Sequence, residues 1–408
     1  MTDGSAPARP ASYDKKVGLV LQGGGALGSY QAGVFQALAT SDYLPDWVAG
    51  ISIGAINAAI IAGNAPEHRV DRLRVFWDEI TAPTSFWPAA PDGPLATLQQ
   101  RTSALTSALF GQPGFFAPRG PQDLFAPGRY LSYYCTDALR GTLERLVDFD
   151  RVNHHHGMRL SVGAVNVATG HFAYFDSDKI RIRPEHVMAS GALPPGFPPV
   201  EIDGQLYWDG GLFSNTPLQY MVDYNPRRSR LVFQVDVFQA HGGAPTNLDE
   251  VNEREKDIRY SSRTRIVTEG LRERHNVRYI INELHKLLPP EIASTPQAKR
   301  LYAQGCVTEM DIAQMIYRPA ESQGGSKDFE FSRSTMEARW QAGFSDAQET
   351  LAASPWLAPI ERDVGVRVFD VVHDRLVQDH KPARVELHGI APAEMPELNL
   401  VMAGHHRR

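Results

Sequence analysis

Cysteine is nearly missing: Cys135 and Cys306 are the only two in 408 residues. Two thiols exclude a disulfide framework, so free buried cysteines in a reducing, cytoplasmic setting are expected. An excess of either charge is also lacking. The chain carries 41 basic and 47 acidic residues, a net charge of −6, which excludes an overall electrostatic pull toward nucleic acid. Long apolar runs are absent too. The longest, Val48 to Gly63, falls short of the roughly 20 residues that span a bilayer and is interrupted by Asn57. The opening "MTDGSAPARPASYDKK" has no apolar core of the length a secretory signal requires, and residues 1–14 read as a flexible tail. No internal repeat is evident.

What the sequence does have begins at Val17. Val17 to Gln22 is a continuous apolar run ending in glycines, which predicts a short buried strand. Beyond the glycines, Tyr30, Val34, Ala37 and Leu38 recur at helical spacing. "WVAGIS" and "IGAINAAIIAG" repeat the rhythm of strand, tight turn and helix, the pattern of a parallel sheet covered by helices. Residues 80–130 are rich in Pro, Gly and aromatics and suit an irregular surface excursion or lid. "MRLSVGAVNVATGHFAYFDS" predicts a hairpin turning at Thr169-Gly170, and "RLVFQVDVF" another buried strand. Pro194, Pro195, Pro198 and Pro199 predict a stiff loop before the strand that ends at Asp209.

After Asp249 the character changes to long charged helices. Val277, Ile280, Ile281, Leu284 and Leu288 share one face and are expected to dock on the domain itself. The alternative is an Arg-rich amphipathic surface, Arg259 to Leu288, resting on an anionic bilayer. Ser334 and Glu337 have the spacing of a capping box, opening a helix with Met336, Trp340, Phe344 and Ala347 on one side. "VGVRVFDVV" and "ARVEL" read as short strands. Three consecutive histidines, His154 to His156, cannot easily turn to one ion from a regular element, so a solvated turn is expected rather than a metal site.

Two glycine-rich turns carry the chemistry. "GGGALG" satisfies G-x-G-x-x-G at Gly23, Gly25 and Gly28, and this loop suits either a dinucleotide pyrophosphate or an oxyanion. A dinucleotide site wants an acid at the end of the second strand, but that strand ends at Ile51-Ser52. Ser52 lies between Gly50 and Gly54, a G-x-S-x-G turn whose small flanks let a serine hydroxyl stand clear of a sheet. A serine needs a base. His241, His275 and His285 follow Asp209 in the order of a Ser-Asp-His triad. Asp209 itself, before Gly210 and Gly211, would be a competent base if burial raised its pKa.

"GGGALG", "GISIG" and "DGG" in that order, with "SNTP" behind the last, resemble the patatin-like phospholipases over residues 15–240. The resemblance implies an α/β fold, a three-layer sandwich around a mainly parallel sheet, to which the charged helices after Asp249 add a helical C-terminal extension. It implies lipid acyl hydrolysis of a fatty-acyl ester with Ser52 as nucleophile, Asp209 as base and the backbone of Gly23, Gly24 and Gly25 as oxyanion hole, without metal or cofactor. Where the family often carries Arg or Lys in its glycine motif, this chain has Leu27. The expected layout is a tail (1–14), a catalytic domain (15–245) and a mainly helical extension (246–408), in a cytoplasmic protein with peripheral membrane contact. Three alternatives remain: a Ser-His-Asp esterase, a dinucleotide-binding oxidoreductase and a catalytically silent scaffold.

Overall fold

The computed structural model describes residues 7–81, 102–103, 106–107, 109–120, 131–154, 157–319, 322–360 and 364–379. Most of the expected lid (82–101 and 121–130), His155, His156 and the "ARVEL" segment lie outside the described residues. Contacts group Met1–Val372 into one compact unit and His373–Arg408 into a second.

The strands in chain order are β1 (Lys16–Leu21), β2 (Trp47–Gly50), β3 (Ala117–Pro118), β4 (Tyr134–Cys135), β5 (Arg159–Asn166) and β6 (Phe172–Asp176), then β7 (Val200–Ile202), β8 (Gln205–Asp209), β9 (Arg230–Asp236), β10 (Met310–Ile316) and β11 (Val366–Phe369). The main sheet runs β11-β10-β9-β1-β2-β5-β8-β7, with β6 also on β5, and β3 and β4 form a separate ribbon. Pairing is parallel from β11 through β5 and antiparallel at β5–β8, β7–β8 and β5–β6. The mainly parallel α/β sheet is therefore observed.

Its continuous apolar strands follow from burial on both faces. Leu19 and Leu21 of β1 and Phe233 of β9 enter one apolar cluster, while Val20 and Val232, pointing the opposite way, enter the other. The first cluster is covered by α1 (Gly28–Ala39), α2 (Ile53–Ala62) and α3 (Arg69–Ile80). The short helix α4 (Pro184–Ser190) adds Val187 to it, and α5 (Leu218–Asp223) covers the second cluster.

The expected boundary at 245/246 falls after β9, yet β10 and β11 from beyond it join the same sheet. The helix read from Met336 and Trp340 is α7 (Arg333–Ala353), whose N-cap is Ser332 rather than Ser334: the Ser332 side chain accepts from the Thr335 N–H. α7 lies directly on α1. A Cβ on Gly33 would fall 1.8 Å from the Trp340 carbonyl, and one on Gly343 2.0 Å from that of Tyr30, so glycine on each helix permits the approach.

One expectation fails on the long helix α6 (Leu248–Lys286). Val277, Ile280, Leu284 and the adjoining Leu288, expected to dock on the domain, are exposed, as are Ile258 and Ile266. The buried face is largely polar: Asp257, Thr264, Thr268, His275 and Asn282, with Leu271. These groups are satisfied in place by specific partners. Thr264 accepts from Gln22 Nε2 at 3.0 Å, His275 Nε2 meets the Thr308 carbonyl at 2.7 Å, and Asp257 pairs with buried Lys327 at 2.7 Å. Hydrophobic periodicity cannot reveal a helix that docks through hydrogen bonds.

Candidate active site

Ser52 occupies the turn between β2 and α2 with φ 56° and ψ −126°, a left-handed conformation rarely taken by residues other than glycine. Such strain costs about 1–3 kcal/mol and persists only where neighbours enforce it. Here the Ser52 N–H donates to both the carbonyl and the Oγ of Ser190, each at 3.1 Å, and the Ser190 hydroxyl donates to the Gly163 carbonyl at 2.6 Å. The flanking glycines are sterically required. A Cβ on Gly50 would lie 2.1 Å from the Gly54 carbonyl, and one on Gly54 2.4 Å from that of Leu21.

Asp209 closes β8 and is buried. Its Oδ1 accepts from the Gly211 N–H at 2.7 Å, and Ser52 stands on the same cavity wall. Burial pushes its pKa up from 3.8 to about 7, against the opposing pull of the Gly211 N–H and of the Ser52 side chain. A carboxyl with that pKa is a far better proton acceptor than an ordinary aspartate. Gly210 lets the chain turn there, because its Cβ would meet the Gly163 carbonyl at 2.6 Å.

The glycine loop lies against Ser52, whose Cβ would be 3.1 Å from a Cβ on Gly23. The Gly23 N–H is engaged, donating to the Asn215 carbonyl at 3.1 Å, whereas those of Gly24 and Gly25 have no acceptor among the described residues. Gly25, with φ 54°, sits where a Cβ would strike the Asp328 carbonyl at 2.3 Å. Leu27, at the position often basic in the resembled family, is fully buried in the core.

A cavity of about 80 Å³ joins these pieces, with Gly24, Gly25, Ser52 and Asp209 on its wall. The remainder is mostly apolar, led by Phe115, Phe116, Phe197, Phe238 and Phe331. No histidine lines it among the described residues. His275 is buried against Thr308 and His285 stacks on Tyr302. His154 is exposed at a bend. Cys135 is half-buried and Cys306 buried, both free.

Sequence reasoning brought Ser52, Asp209 and the glycines to one place but left three supports unread. Ser190 had no motif to mark it. Asn215 stands inside the quoted "SNTP" without an assigned task. The segment 322–331 carries Asp328 and Phe331 to the cavity and is tied to α6, where Lys327 pairs with Glu253 at 3.2 Å and with Asp257.

A family model described as patatin-like phospholipase matches residues 19–222, and one described as patatin phospholipase matches 258–363. No curated protein matches the sequence. Among solved structures, the chain is similar to VipD from Legionella pneumophila, at 16% identity over 89% of this chain and 72% of that one, with a TM-score of 0.35. Human GIVD cytosolic phospholipase A2 matches at 15% identity over 54% of this chain and 40% of its own, with a TM-score of 0.29. ExoU, in the ExoU–SpcU complex of Pseudomonas aeruginosa, matches at 19% identity over 65% of this chain and 52% of that chain, with a TM-score of 0.27.

Proposed function

This chain belongs to the patatin-like phospholipase family, and from that premise we propose that it hydrolyses carboxylic esters of lipids through Ser52 and Asp209. The observation that carries the reading is that Ser52, at a strained turn, and a buried Asp209 whose pKa is raised to about 7 line one cavity with the glycine loop. Asp209 takes the serine proton as Oγ attacks the ester carbonyl carbon. Charge developing on the carbonyl oxygen is met by the N–H groups of Gly24 and Gly25, in the turn that leads into α1 and its dipole. The proton passes from Asp209 to the leaving alcohol oxygen, leaving acyl-Ser52. Water, deprotonated by Asp209, then releases the carboxylic acid and restores the serine. Each step balances without a metal or cofactor.

A triad reading needs an imidazole between Ser52 and Asp209, and the dyad is favoured because the two share one cavity wall while His275 is buried against Thr308 and His285 stacks on Tyr302. A fluorophosphonate probe is the test. Wild type is expected to take up one phosphonyl group on Ser52, and Ser52→Ala none while melting at the wild-type temperature. A folded Ser52→Ala that still labels and hydrolyses esters would contradict the assignment.

The substrate is supported only as a lipid acyl ester, which the apolar cavity suits. Contact with a lipid surface through the exposed apolar residues of α6 belongs to the same proposal. Three of its arginines are already paired, Arg274 and Arg278 with Asp223 and Arg259 with Glu255, while Arg265 and Arg272 are exposed and would be the ones to meet an anionic bilayer.

A further inference from the structure

On the far side of the Asp209 loop a second cleft, of about 590 Å³, shares no lining residue with the catalytic cavity. Its size falls in the roughly 300–1,000 Å³ range of small-molecule sites. The walls are aromatic: Phe172 and Tyr174 two apart on β6, Phe213 just after the Asp209 turn, and Tyr220 and Tyr224 at the end of α5. Tyr174 stacks on Tyr220 with centroids 4.0 Å apart, and Phe172 lies 5.6 Å from Phe213. The hydroxyls of Tyr220 and Tyr224 donate to Asp176 and Asp178 at 2.7 and 2.8 Å, which fixes both rings and consumes their polar ends.

Charge at this cleft is unbalanced in one place. Asp223, on the wall, is answered by Arg274 at 3.2 Å and Arg278 at 2.8 Å. Lys179 is exposed, its ammonium 5.3 Å from the Tyr220 centroid and 4.9 Å from that of Tyr224, and it forms no ion pair among the described residues. Exposed apolar groups stand nearby along the chain: Ile180 next to Lys179, and Leu212 next to Phe213, itself 64% exposed. A sugar would need many hydrogen-bonding groups, and Ser214, Tyr220, Asp223 and Tyr224 on the wall are already engaged within the protein. An alkyl chain needs only the apolar surface, and the lysine calls for an anion.

We propose that this cleft binds a single-chain anionic amphiphile, its head group on Lys179 and its chain along Phe172, Phe213 and Tyr220. The assignment rests on the cleft itself and not on the hydrolase reading, although that reaction would release such a molecule whenever a fatty acid leaves Ser52.

Calorimetric titration of the full chain, with ligands below their micelle-forming concentrations, tests it without reading hydrolysis. Dodecanoate and dodecyl phosphate separate a fatty-acid source from a phosphate-headed one, dodecanol removes the charge, and inorganic phosphate removes the chain. Saturable binding of at least one anionic amphiphile is expected, weakened about tenfold in Lys179→Met and kept within about twofold in Lys179→Arg, as suits a charge-assisted contact. Dodecanol is expected to bind about tenfold more weakly and inorganic phosphate not to saturate. Lys179 is exposed, so both variants are expected to melt with wild type. Binding indifferent to Lys179→Met, dodecanol binding as tightly as the anions, or no saturable binding of either anion would overturn the proposal.

Discussion

Asn215 holds Gly23 from both sides: its Nδ2 donates to the Gly23 carbonyl at 2.9 Å, and the Gly23 N–H donates to the Asn215 backbone carbonyl at 3.1 Å. The glycine loop is thereby tied to the segment that follows Asp209. Its first N–H is spent on that tie, leaving Gly24 and Gly25 as the proposed oxyanion donors.

Asn215→Ala removes the side-chain half of the clamp at a buried position. Loosening a pre-organised donor pair acts on the transition state more than on bound substrate. We expect kcat to fall by about tenfold to a hundredfold, with KM within about twofold and the fold retained by circular dichroism. An unchanged kcat would remove Asn215 from this task.

The raised pKa of Asp209 sets the pH profile. Below about 7 the carboxyl holds its own proton and cannot take that of Ser52, so kcat/KM is expected to rise with pH and level off above about 7. Stability moves the other way. A carboxyl whose folded pKa lies above its unfolded value keeps its proton longer in the folded state, so stability declines as pH rises from about 4 to 7, and the loss is complete above. Asp209→Asn escapes that loss. It is expected to melt above wild type near pH 8, with the gap closing near pH 4; a gap independent of pH would contradict the assigned shift. Asp236, also buried and raised to about 7, is present in both proteins and cancels in the comparison.

We expect the cavity to admit only the first carbons of an acyl chain beside Ser52. Its roughly 80 Å³ is about half the 150 Å³ cavity that accommodates benzene in an engineered protein core. Phe197 packs between Phe115 and Phe116, with centroids 6.0 and 5.3 Å away. Wild type is expected to prefer butyryl over dodecanoyl nitrophenyl esters. Phe197→Ala is expected to shift kcat/KM toward the longer ester by about tenfold, at a stability cost of about 3 kcal/mol or less because the ring is only half-buried. A length preference untouched by Phe197→Ala would place the acyl group elsewhere.

The catalytic half of the fold was legible because its chemistry forces its sequence. Gly50, Gly54 and Gly210 stand where a Cβ would strike a carbonyl, and β1 from Val17, β2 and most of β9, with Gln234 its one interior polar residue, read as apolar runs buried on both faces. The C-terminal half was less legible. α6 buries Asp257, Thr264 and His275 while exposing Ile266 and Leu284, so its apolar face named the wrong side. β10 reads poorly as a strand because Asp311 and Gln314 interrupt it. Asp311 is nonetheless buried, paired with Lys15 and Arg367, partners separated from it by 296 and 56 positions that no local pattern can supply. At the site, Ser52 and Asp209 followed from their turns, whereas the Asn215 clamp and the Ser190 support are contacts between distant segments.

The most direct test of the account is kcat/KM on a nitrophenyl butyrate for Asp209→Asn beside Ser52→Ala and single alanine variants at His241, His275 and His285. An amide keeps the shape of Asp209 and still accepts from Gly211, but it cannot take the Ser52 proton. The account predicts that Asp209→Asn falls nearly as far as Ser52→Ala, by several orders of magnitude, while each folded histidine variant keeps most of its activity. A folded histidine variant as inactive as Ser52→Ala, or an Asp209→Asn within about tenfold of wild type, would contradict it.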